Sequence, residues 1–481
     1  MSELIGRRWD TGELVRVLSH AGTIVSIDPI AGEGDHGWLV PGFIDNHCHI
    51  LPSGMHMGYL DLGGVASPEE VLARVHDAEP TMPDWVLGIS LDPMRFAPGS
   101  ALHRLDLDKI SQEKPILLRH VNGHASFVNS AALERAGIHR DAPDPAGGTF
   151  VRDAAGEFTG EILEHASEHV WSTVPNPSRE EMVNAILRAA ESMASYGIRT
   201  ASDMMTGRYD LLDELHAYRI ATERGSPVRF RLYVQWSTVF GPRALDPEHL
   251  RAATDAMDPD RCRVAGIKIF ADGAIGSATA AMSEPYLTGG TGKLIYSPEK
   301  LTHMVRTAAD AGYSVAVHSI GDHSTQLVMD SFAKTEDPAR HRLEHAMLLS
   351  EAQIDQLAEL GCFVTMQPEF LVRFGHSYAR QLGPERSARL KQWRTLMDRG
   401  IPVSFSSDRP IVSGDPMALL RCATHRPAPF DPGENVGFDV ALAAITSEAA
   451  RANGDAGWGQ LVVGSTADPM RLSTHPRENV S

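Results

Sequence analysis

Two histidines separated by one residue, His47 and His49, close an apolar run that begins at Trp38. Side chains alternate faces along a β-strand, so residues two apart project the same way and two imidazoles can hold one cation between them. Cys48 must then project to the opposite face. A chain with 22 histidines contains such spacings by chance. The pair therefore predicts a metal site only if the rest of the chain supplies further ligands.

Other side chains able to bind a metal or move protons recur at the ends of apolar, β-branched runs. His318 and His345 end two such runs, and Asp408 ends a third. Lys268 lies inside the apolar run 266–270, where an unpaired ammonium would be expensive to bury. Each alone has an ordinary structural explanation, such as a core histidine bonded to a carbonyl or a helix-capping aspartate. Unrelated structural roles would not place all of these residues at strand ends.

Eight apolar runs alternate with helical patterns, which is typical of parallel βα units and predicts an α/β protein with a (β/α)8 TIM barrel. Strands are predicted at residues 38–49, 197–203, 228–236, 264–272, 313–318, 341–345, 362–367 and 401–408. Helical patterns cover residues 178–196, 298–311, 350–360 and 385–398. The carboxyl ends of parallel barrel strands converge on one face, so we expect the histidine, lysine and aspartate side chains to meet there.

The barrel is expected over residues 38–454, with one long interruption. The interval of about residues 54–178 is too long for a single helix and predicts an insertion subdomain after strand one, over the barrel mouth. Strands at 85–90 and 115–120 and a helix at 128–136 are predicted within it. The chain ends, residues 1–37 and 455–481, contain strand-like pieces at 13–18 and 23–28. They predict a small accessory β-domain, complete or reduced.

Composition excludes several classes of partner. The net charge of -18 argues against nucleic acid and anionic membranes, which bind basic patches. No stretch approaches the roughly 18 uninterrupted apolar residues of a membrane span, and the first residues do not resemble a secretory signal, so we expect a cytoplasmic location. The four cysteines are far apart and form no C-x-x-C pair. A metal would therefore be held by histidine and carboxylate-type ligands.

With these motifs in view, the chain resembles the metal-dependent amidohydrolases, in the family 3 branch that includes YtcJ-like proteins and N-substituted formamide deformylases. The resemblance covers nearly the whole chain. It is carried by residues 41–49 (PGFIDNHCH), 122–133 (NGHASFVNSAAL), 160–164 (GEILE), 268–277 (KIFADGAIGS), 318–322 (HSIGD), 342–345 (RLEH), 367–368 (QP) and 406–410 (SSDRP).

The resemblance implies a set of ligands around one or two divalent metals, most often zinc: His47, His49, His318, His345 and Asp408. Lys268 resembles the bridging ligand that related enzymes carboxylate to an anionic carbamate, which would remove its buried positive charge. Asp408 has the position of the residue that carries a proton from the attacking water to the departing nitrogen. His124 is a candidate for an oxyanion donor or a substrate-orienting group, with a structural role at a helix start as the alternative.

The activity implied is hydrolysis of a carbon–nitrogen bond in a non-peptide amide, such as an N-acyl or N-formyl compound, by metal-activated hydroxide. The alternatives are a deaminase, a cyclic amide hydrolase and a noncatalytic regulator that keeps the fold. Arg409 stands where relatives commonly have alanine, and it could pair with a substrate anion or point to solvent. Asp272 and Glu164 are further candidates for substrate binding. The expected partner is a small-molecule substrate, and a homodimer remains open.

Overall fold

The computed structural model describes residues 1–32, 34, 36–78, 84–121, 125–145, 147–455, 457–466, 468–478 and 480. The chain forms two compact units. Residues 1–51 and 189–481 make up the first, and residues 52–188 make up the second. The described helices include none with the length and hydrophobicity that crossing a membrane requires.

The first unit contains a nearly closed parallel barrel. Within its described residues, eight parallel strands form one sheet in sequence order, and we number them barrel strands one to eight: Phe43–Cys48, Ile198–Thr206, Arg229–Gln235, Cys262–Phe270, Val315–Ser319, Arg342–His345, Phe363–Met366 and Val403–Phe405. Two main-chain hydrogen bonds join the ends of strands one and eight. The Asp408 amide donates to the His47 carbonyl, and the His49 amide donates to the Arg409 carbonyl, both at 2.7 Å. The predicted barrel is confirmed.

Barrel strand one is shorter than the predicted run 38–49. Trp38–Val40 forms a separate strand in another sheet, and the barrel strand starts at Phe43 after a Pro-Gly pair. Gly42 fits this junction because a Cβ there would lie 2.5 Å from the Arg199 side chain and 2.7 Å from the Asp468 carbonyl oxygen. The apolar run therefore contributes one strand to each of two different sheets.

The helices of the barrel begin and end where local capping dictates. Ser350 accepts the amide of Gln353 and donates its own amide to the Gln353 side chain, which starts one helix, and Gly361 at φ 65° ends it. The helix Ile50–Met57 directly follows barrel strand one. The helices after the insertion are Arg179–Ser195, Leu211–Glu223, Pro247–Asp255, Pro298–Asp310, Asp322–Phe332, Glu351–Leu360, Phe370–Ala388, Trp393–Asp398, Pro416–Thr424, Phe438–Ala444 and Ser447–Ala452.

One predicted helix, at residues 385–398, is wrong as a single element. It comprises the end of Phe370–Ala388 and the separate helix Trp393–Asp398. Lys391 lies in the break with φ 53°, and its amide donates to the Met347 carbonyl at 2.7 Å instead of continuing a helix. A tertiary contact thus overrides the local helical pattern.

The two chain ends form an accessory sheet that also belongs to the first unit. Its described strands run in the order Met470–Leu472, Trp38–Val40, Ser2–Arg8, Leu14–His20 and Thr23–Pro29. A small apolar cluster that includes Val15, Val17 and Leu39 packs against one face of it. The sheet is complete enough to hold its own core, which answers the question left open by the sequence.

The second unit is the insertion. Its described strands form a sheet in the order Gly148–Arg152, Phe158–Glu164, Ala125–Val128, Ile116–His120, Val86–Leu91 and Leu60–Asp61. The two strands predicted at 85–90 and 115–120 are confirmed. The helix predicted at 128–136 is shorter, Ser130–Arg135, because Asn129 caps it by accepting the Ala132 amide. The other helices of this unit are Pro68–His76, Arg104–Asp108 and His165–Trp171.

Candidate metal centre

Three potential ligands meet where the barrel closes. One ligand atom from each of His47, His49 and Asp408 can be chosen so that all three lie within 4.8 Å of one another, and all three residues are buried. His49 Nε2 lies 2.9 Å and His47 Nε2 3.6 Å from Asp408 Oδ1. The main-chain bonds between strands one and eight hold these residues at the same level of the barrel. The proximity is therefore a consequence of barrel closure.

Further predicted ligands continue this cluster along the barrel. The rings of His47 and His345 have their centroids 4.8 Å apart, and those of His345 and His318 are 4.5 Å apart. Lys268 Nζ lies 3.4 Å from His47 Nε2. The structure thus brings together all six side chains that the sequence placed on five different strands.

Buried hydrogen-bond partners set the tautomers of the imidazoles. His47 Nδ1 lies 2.5 Å from a carboxylate oxygen of Glu344, and His345 Nδ1 lies 2.7 Å from the amide oxygen of Gln367. Both partners are acceptors, so each Nδ1 carries the proton and each Nε2 keeps its lone pair. His318 shows the converse arrangement, because its Nε2 donates to the Gly273 carbonyl at 3.0 Å and leaves Nδ1 available.

The electrostatic setting favours neutral ligands. Burial, reinforced by the charge of Lys268, lowers the pKa of His47 well below its ordinary value, and burial likewise lowers the pKa of His345 and His318. Burial also lowers the pKa of Lys268 to about 8, although the charge of Glu344 opposes the shift. Neutral imidazoles are the form that binds metal, and a neutral amine is the form that reacts as a nucleophile.

The donor set fits a divalent metal. Ligand atoms about 2.0–2.1 Å from a tetrahedral zinc ion lie roughly 3.4 Å from one another, and the separations of 2.9 and 3.6 Å at Asp408 Oδ1 bracket that value. In the described part of the chain, His345 Nε2 is buried without a hydrogen-bond partner. Imidazole and carboxylate ligands without thiolates suit zinc and several other transition metals. The residues present therefore fit the metal that the sequence predicts.

Two buried carboxylates outside the predicted set support the ligand segments. Asp45 accepts the Ser407 amide and hydroxyl, which ties strand one to the residue before Asp408. Burial raises the pKa of Asp45 to about 6. Asp203, on strand two, accepts the amides of Ile50 and Leu51 directly after His49. Both carboxylates restrain the backbone that presents the ligands.

Backbone strain marks two of the ligands. His345 has φ 75° and Asp408 has φ 60°, in the left-handed region that side chains other than glycine rarely adopt. Such conformations cost about 1–3 kcal/mol each and persist where the surrounding structure enforces them, often at functional sites. The strain is consistent with positions selected for ligand geometry.

Asp272 lies close to the ligands but is occupied by structural bonds. Its carboxylate is 3.7 Å from His318 Nε2. It also accepts four hydrogen bonds, from the amides of Ala281, Ile320 and Gly321 and the hydroxyl of Ser324. Its predicted contact with substrate stays a prediction, and the geometry shows an anchor for the loops after strands four and five.

The other predicted site residues are Arg409, Glu164 and His124. Arg409 is buried, and it donates to the Ser192 hydroxyl at 2.7 Å, so it does not point to solvent. Glu164 ends strand Phe158–Glu164 of the insertion and is exposed, with φ 50°. His124 lies outside the described residues. The substrate-binding roles of Arg409 and Glu164 stay predictions.

Three residues that orient the ligands were not predicted as site residues. Glu344 and Gln367 hold the two imidazoles, and the buried Lys391 donates to Gln367. Glu344 and Gln367 stand in motifs that carried the family resemblance, residues 342–345 and 367–368, and that membership is the only signal the sequence holds for them. Lys391 lies in an amphipathic helical pattern typical of surface lysines, so the sequence carries no signal for it.

Comparisons with known proteins agree with this geometry. A family model described as "Amidohydrolase family" matches residues 36–476. The "Putative amidohydrolase YtcJ" of Bacillus subtilis (strain 168) is 32% identical over 400 residues, which cover 80% of this chain and 74% of that protein. The "N-substituted formamide deformylase" of Arthrobacter pascens is 26% identical over 460 residues, which cover 91% and 84%.

A solved structure gives the same fold. The crystal structure of an uncharacterized metal-dependent hydrolase from Pyrococcus furiosus matches with a TM-score of 0.81 at 24% identity, over 98% of both chains. The match extends to both chain ends, so the accessory sheet and the insertion are part of the shared architecture.

Proposed function

The chain belongs to the amidohydrolase family, and we propose that this metal-dependent hydrolase cleaves a carbon–nitrogen bond in a non-peptide amide, such as an N-acyl or N-formyl compound. The cluster of His47, His49 and Asp408 at the closure of the barrel is the observation that carries the proposal. The name of the Arthrobacter pascens relative, a deformylase of N-substituted formamides, supports this choice of bond.

The chemistry divides between a metal and the protein. A divalent metal held by these side chains supplies a Lewis acid that activates water and polarises a carbonyl. Asp408 Oδ1 is within 3.6 Å of both histidines, which supports a role for its carboxylate in accepting a proton from the attacking water. The water oxygen adds to the carbonyl carbon, the carbon–nitrogen bond breaks, and Asp408 returns the proton to the departing nitrogen. The products are a carboxylic acid and an amine.

Lys268 completes the proposed centre. Its buried amine has a pKa lowered to about 8, so an appreciable neutral fraction exists at neutral pH and can react with carbon dioxide. Addition of the amine to carbon dioxide would release one proton and form an anionic carbamate next to His47, whose Nε2 lies 3.4 Å from Lys268 Nζ. With a carbamate at Lys268, His318 and His345 would hold a second divalent ion, and zinc is the expected metal at both positions.

The test combines metal analysis with a substrate screen. Wild-type protein and Asp408→Asn are analysed for bound metal and assayed on N-formyl, N-acyl and cyclic amides. Asp398→Asn, a surface aspartate on the helix Trp393–Asp398, is the matched control. We expect about one or two divalent ions per wild-type chain and a loss of at least about 10³-fold in Asp408→Asn, since general acid–base catalysis alone contributes about 10²–10⁴-fold.

The outcomes separate the alternatives. Ammonia released without formation of a carboxylic acid would favour a deaminase, and a single ring-opened product would identify a cyclic amide hydrolase. A folded protein that binds no metal and hydrolyses nothing would favour the noncatalytic regulator. Hydrolysis by metal-free protein would contradict the mechanism.

A further inference from the structure

We propose that Lys391 is a positioning residue for the metal centre, which acts through the side-chain amide of Gln367 to hold His345 in the tautomer that offers Nε2 to a metal. The inference rests on the proposed function, because His345 needs a fixed tautomer only if it binds metal. Lys391 is far from the ligands in sequence, and no motif of the family resemblance contains it.

The contacts converge on one oxygen atom. Gln367 Oε1 lies 2.7 Å from His345 Nδ1 and 3.3 Å from Lys391 Nζ. The amide nitrogen of Gln367 donates to the Ser406 hydroxyl at 3.1 Å. All of these side chains are buried. The amide nitrogen also lies 3.5 Å from the Thr365 carbonyl oxygen, so the amide is held between two donors on its oxygen and two acceptors on its nitrogen.

Lys391 fixes the orientation of this amide together with the more distant carbonyl oxygen of Thr365. A lysine ammonium has donors and no acceptor, so it donates to the amide oxygen beside it and disfavours the amide nitrogen there. Without Lys391, the Gln367 amide could rotate and present its nitrogen to His345, which would then place its own proton on Nε2. That tautomer has no lone pair on the nitrogen that faces the ligand cluster.

The protein also fixes Lys391 itself. Its backbone amide donates to the carbonyl of Met347, two residues after His345, and its carbonyl accepts Arg426 Nη1, both at 2.7 Å. Its φ of 53° is unusual for a lysine. The Phe370 ring stacks on His345 with a centroid distance of 6.1 Å and also lies 5.2 Å from Lys391 Nζ. The main-chain bond to Met347, the Phe370 ring and the Gln367 amide therefore all connect Lys391 to His345.

Burial lowers the pKa of Lys391 to about 7. The ammonium and the neutral amine can both donate to the Gln367 oxygen, but only the ammonium lacks a lone pair that could accept from the amide nitrogen. A buried lysine kept only for packing would be replaceable by methionine, which has a similar length and no polar head. The structural and positioning roles therefore predict different results for that substitution.

The experiment is a double-mutant cycle on metal affinity. Apoprotein of the wild type, Lys391→Met, Gln367→Met and the double variant is titrated with Zn²⁺ against a chromophoric chelator, and folding is checked by circular dichroism. Lys300→Met is the matched control, because its Nζ also lies over an aromatic ring, 4.8 Å from the centroid of Trp236, but at an exposed position.

We expect Gln367→Met to weaken zinc binding by about 10–100-fold, as loss of a partner of a ligating histidine typically does. Lys391→Met should weaken it by about tenfold, and the double variant should be no weaker than Gln367→Met alone. Wild-type affinity in Lys391→Met, or effects that multiply in the double variant, would overturn the inference and leave the proposed function standing. A wild-type protein that binds no Zn²⁺ would overturn both.

A measurement on the wild type covers the case in which a variant fails to fold. Nitrogen NMR of ¹⁵N-histidine-labelled apoprotein, with His345→Gln used for assignment, reports which ring nitrogen carries the proton. A proton on Nδ1 of His345 is expected. A proton on Nε2 would overturn the inference whatever the variants do.

Discussion

Replacement of Glu344 by glutamine tests how the barrel prepares a ligand. Glu344 is completely buried, and its two carboxylate oxygens serve different partners. Oε1 lies 2.9 Å from Arg342 Nε, and Oε2 lies 2.5 Å from His47 Nδ1. Glutamine keeps the shape and one acceptor but removes the negative charge. Glu344→Gln should therefore weaken both the apoprotein and its metal binding.

The expected loss of folding stability and the expected loss of metal affinity differ in size. Removing one partner of a buried ion pair costs about 3–5 kcal/mol, and the lower end applies here because Arg342 keeps hydrogen bonds to other groups, among them Tyr233 and the Asn46 carbonyl. Weaker support of His47 should reduce metal affinity by about 10–100-fold, which is about 1.4–2.8 kcal/mol. Bound metal stabilises the folded state in proportion to the logarithm of its affinity. We thus expect a loss of about 3 kcal/mol without zinc and about 4–6 kcal/mol in buffered zinc.

The assay is urea unfolding of wild-type and Glu344→Gln protein, with a chelator and in buffered zinc, beside a direct zinc titration. Glu359→Gln, on the exposed face of the helix Glu351–Leu360, is the matched control and should change neither quantity. The extra loss of stability in zinc must equal the loss of affinity in the titration. An equal loss with and without zinc together with unchanged affinity would refute the role of Glu344 in orienting His47.

Three further predictions address other residues. Burial lowers the pKa of His341 to about 4, from 6.5 in the unfolded chain. The neutral imidazole therefore contributes fully to folding stability above pH 6.5, and about 3 kcal/mol of that stability is lost as the pH falls from 6.5 to 4. His341→Asn should make the free energy of unfolding less dependent on pH in this range, and an unchanged pH dependence would contradict this role of His341. Arg409→Ala should raise the Michaelis constant about tenfold for carboxylate-bearing substrates and leave it unchanged for neutral ones. Equal effects on both would contradict a role of Arg409 in binding a substrate anion. Wild-type protein incubated with ¹³C-bicarbonate should show a carbamate carbon resonance that is absent from Lys268→Met, and the same spectrum in both would exclude carboxylation of Lys268.

The positions of the ligands were predictable because they depend on barrel topology. Once the alternating pattern indicates parallel βα units, the carboxyl ends of the strands must converge. His47, His318 and Asp408 could therefore be expected to meet although they are far apart in sequence, and the contiguous cluster bears this out.

The errors arise where tertiary contacts override local patterns. Trp38–Val40 looks continuous with barrel strand one because both are apolar, and only the close packing around Gly42 separates them. The helix predicted at 385–398 breaks because Lys391 bonds Met347 across the fold. Local sequence contains neither contact.

The partners of the ligands were the hardest part to foresee. Glu344 precedes His345 in barrel strand six, so alternation alone would place it away from the site. Its carboxylate nevertheless bonds His47 of strand one, although strands seven and eight lie between the two strands around the barrel. Such contacts depend on side-chain direction inside the barrel. Sequence spacing does not determine that direction.

Anomalous X-ray diffraction at the zinc edge, from crystals of the zinc-loaded wild type, tests the metal centre most directly. An anomalous peak about 2.0–2.2 Å from His47 Nε2, His49 Nε2 and a carboxylate oxygen of Asp408 is the predicted result. The same crystals of Asp408→Asn should show a weaker peak or none. A wild-type crystal with no anomalous peak among these three side chains, or with its metal bound elsewhere, would contradict the proposed function.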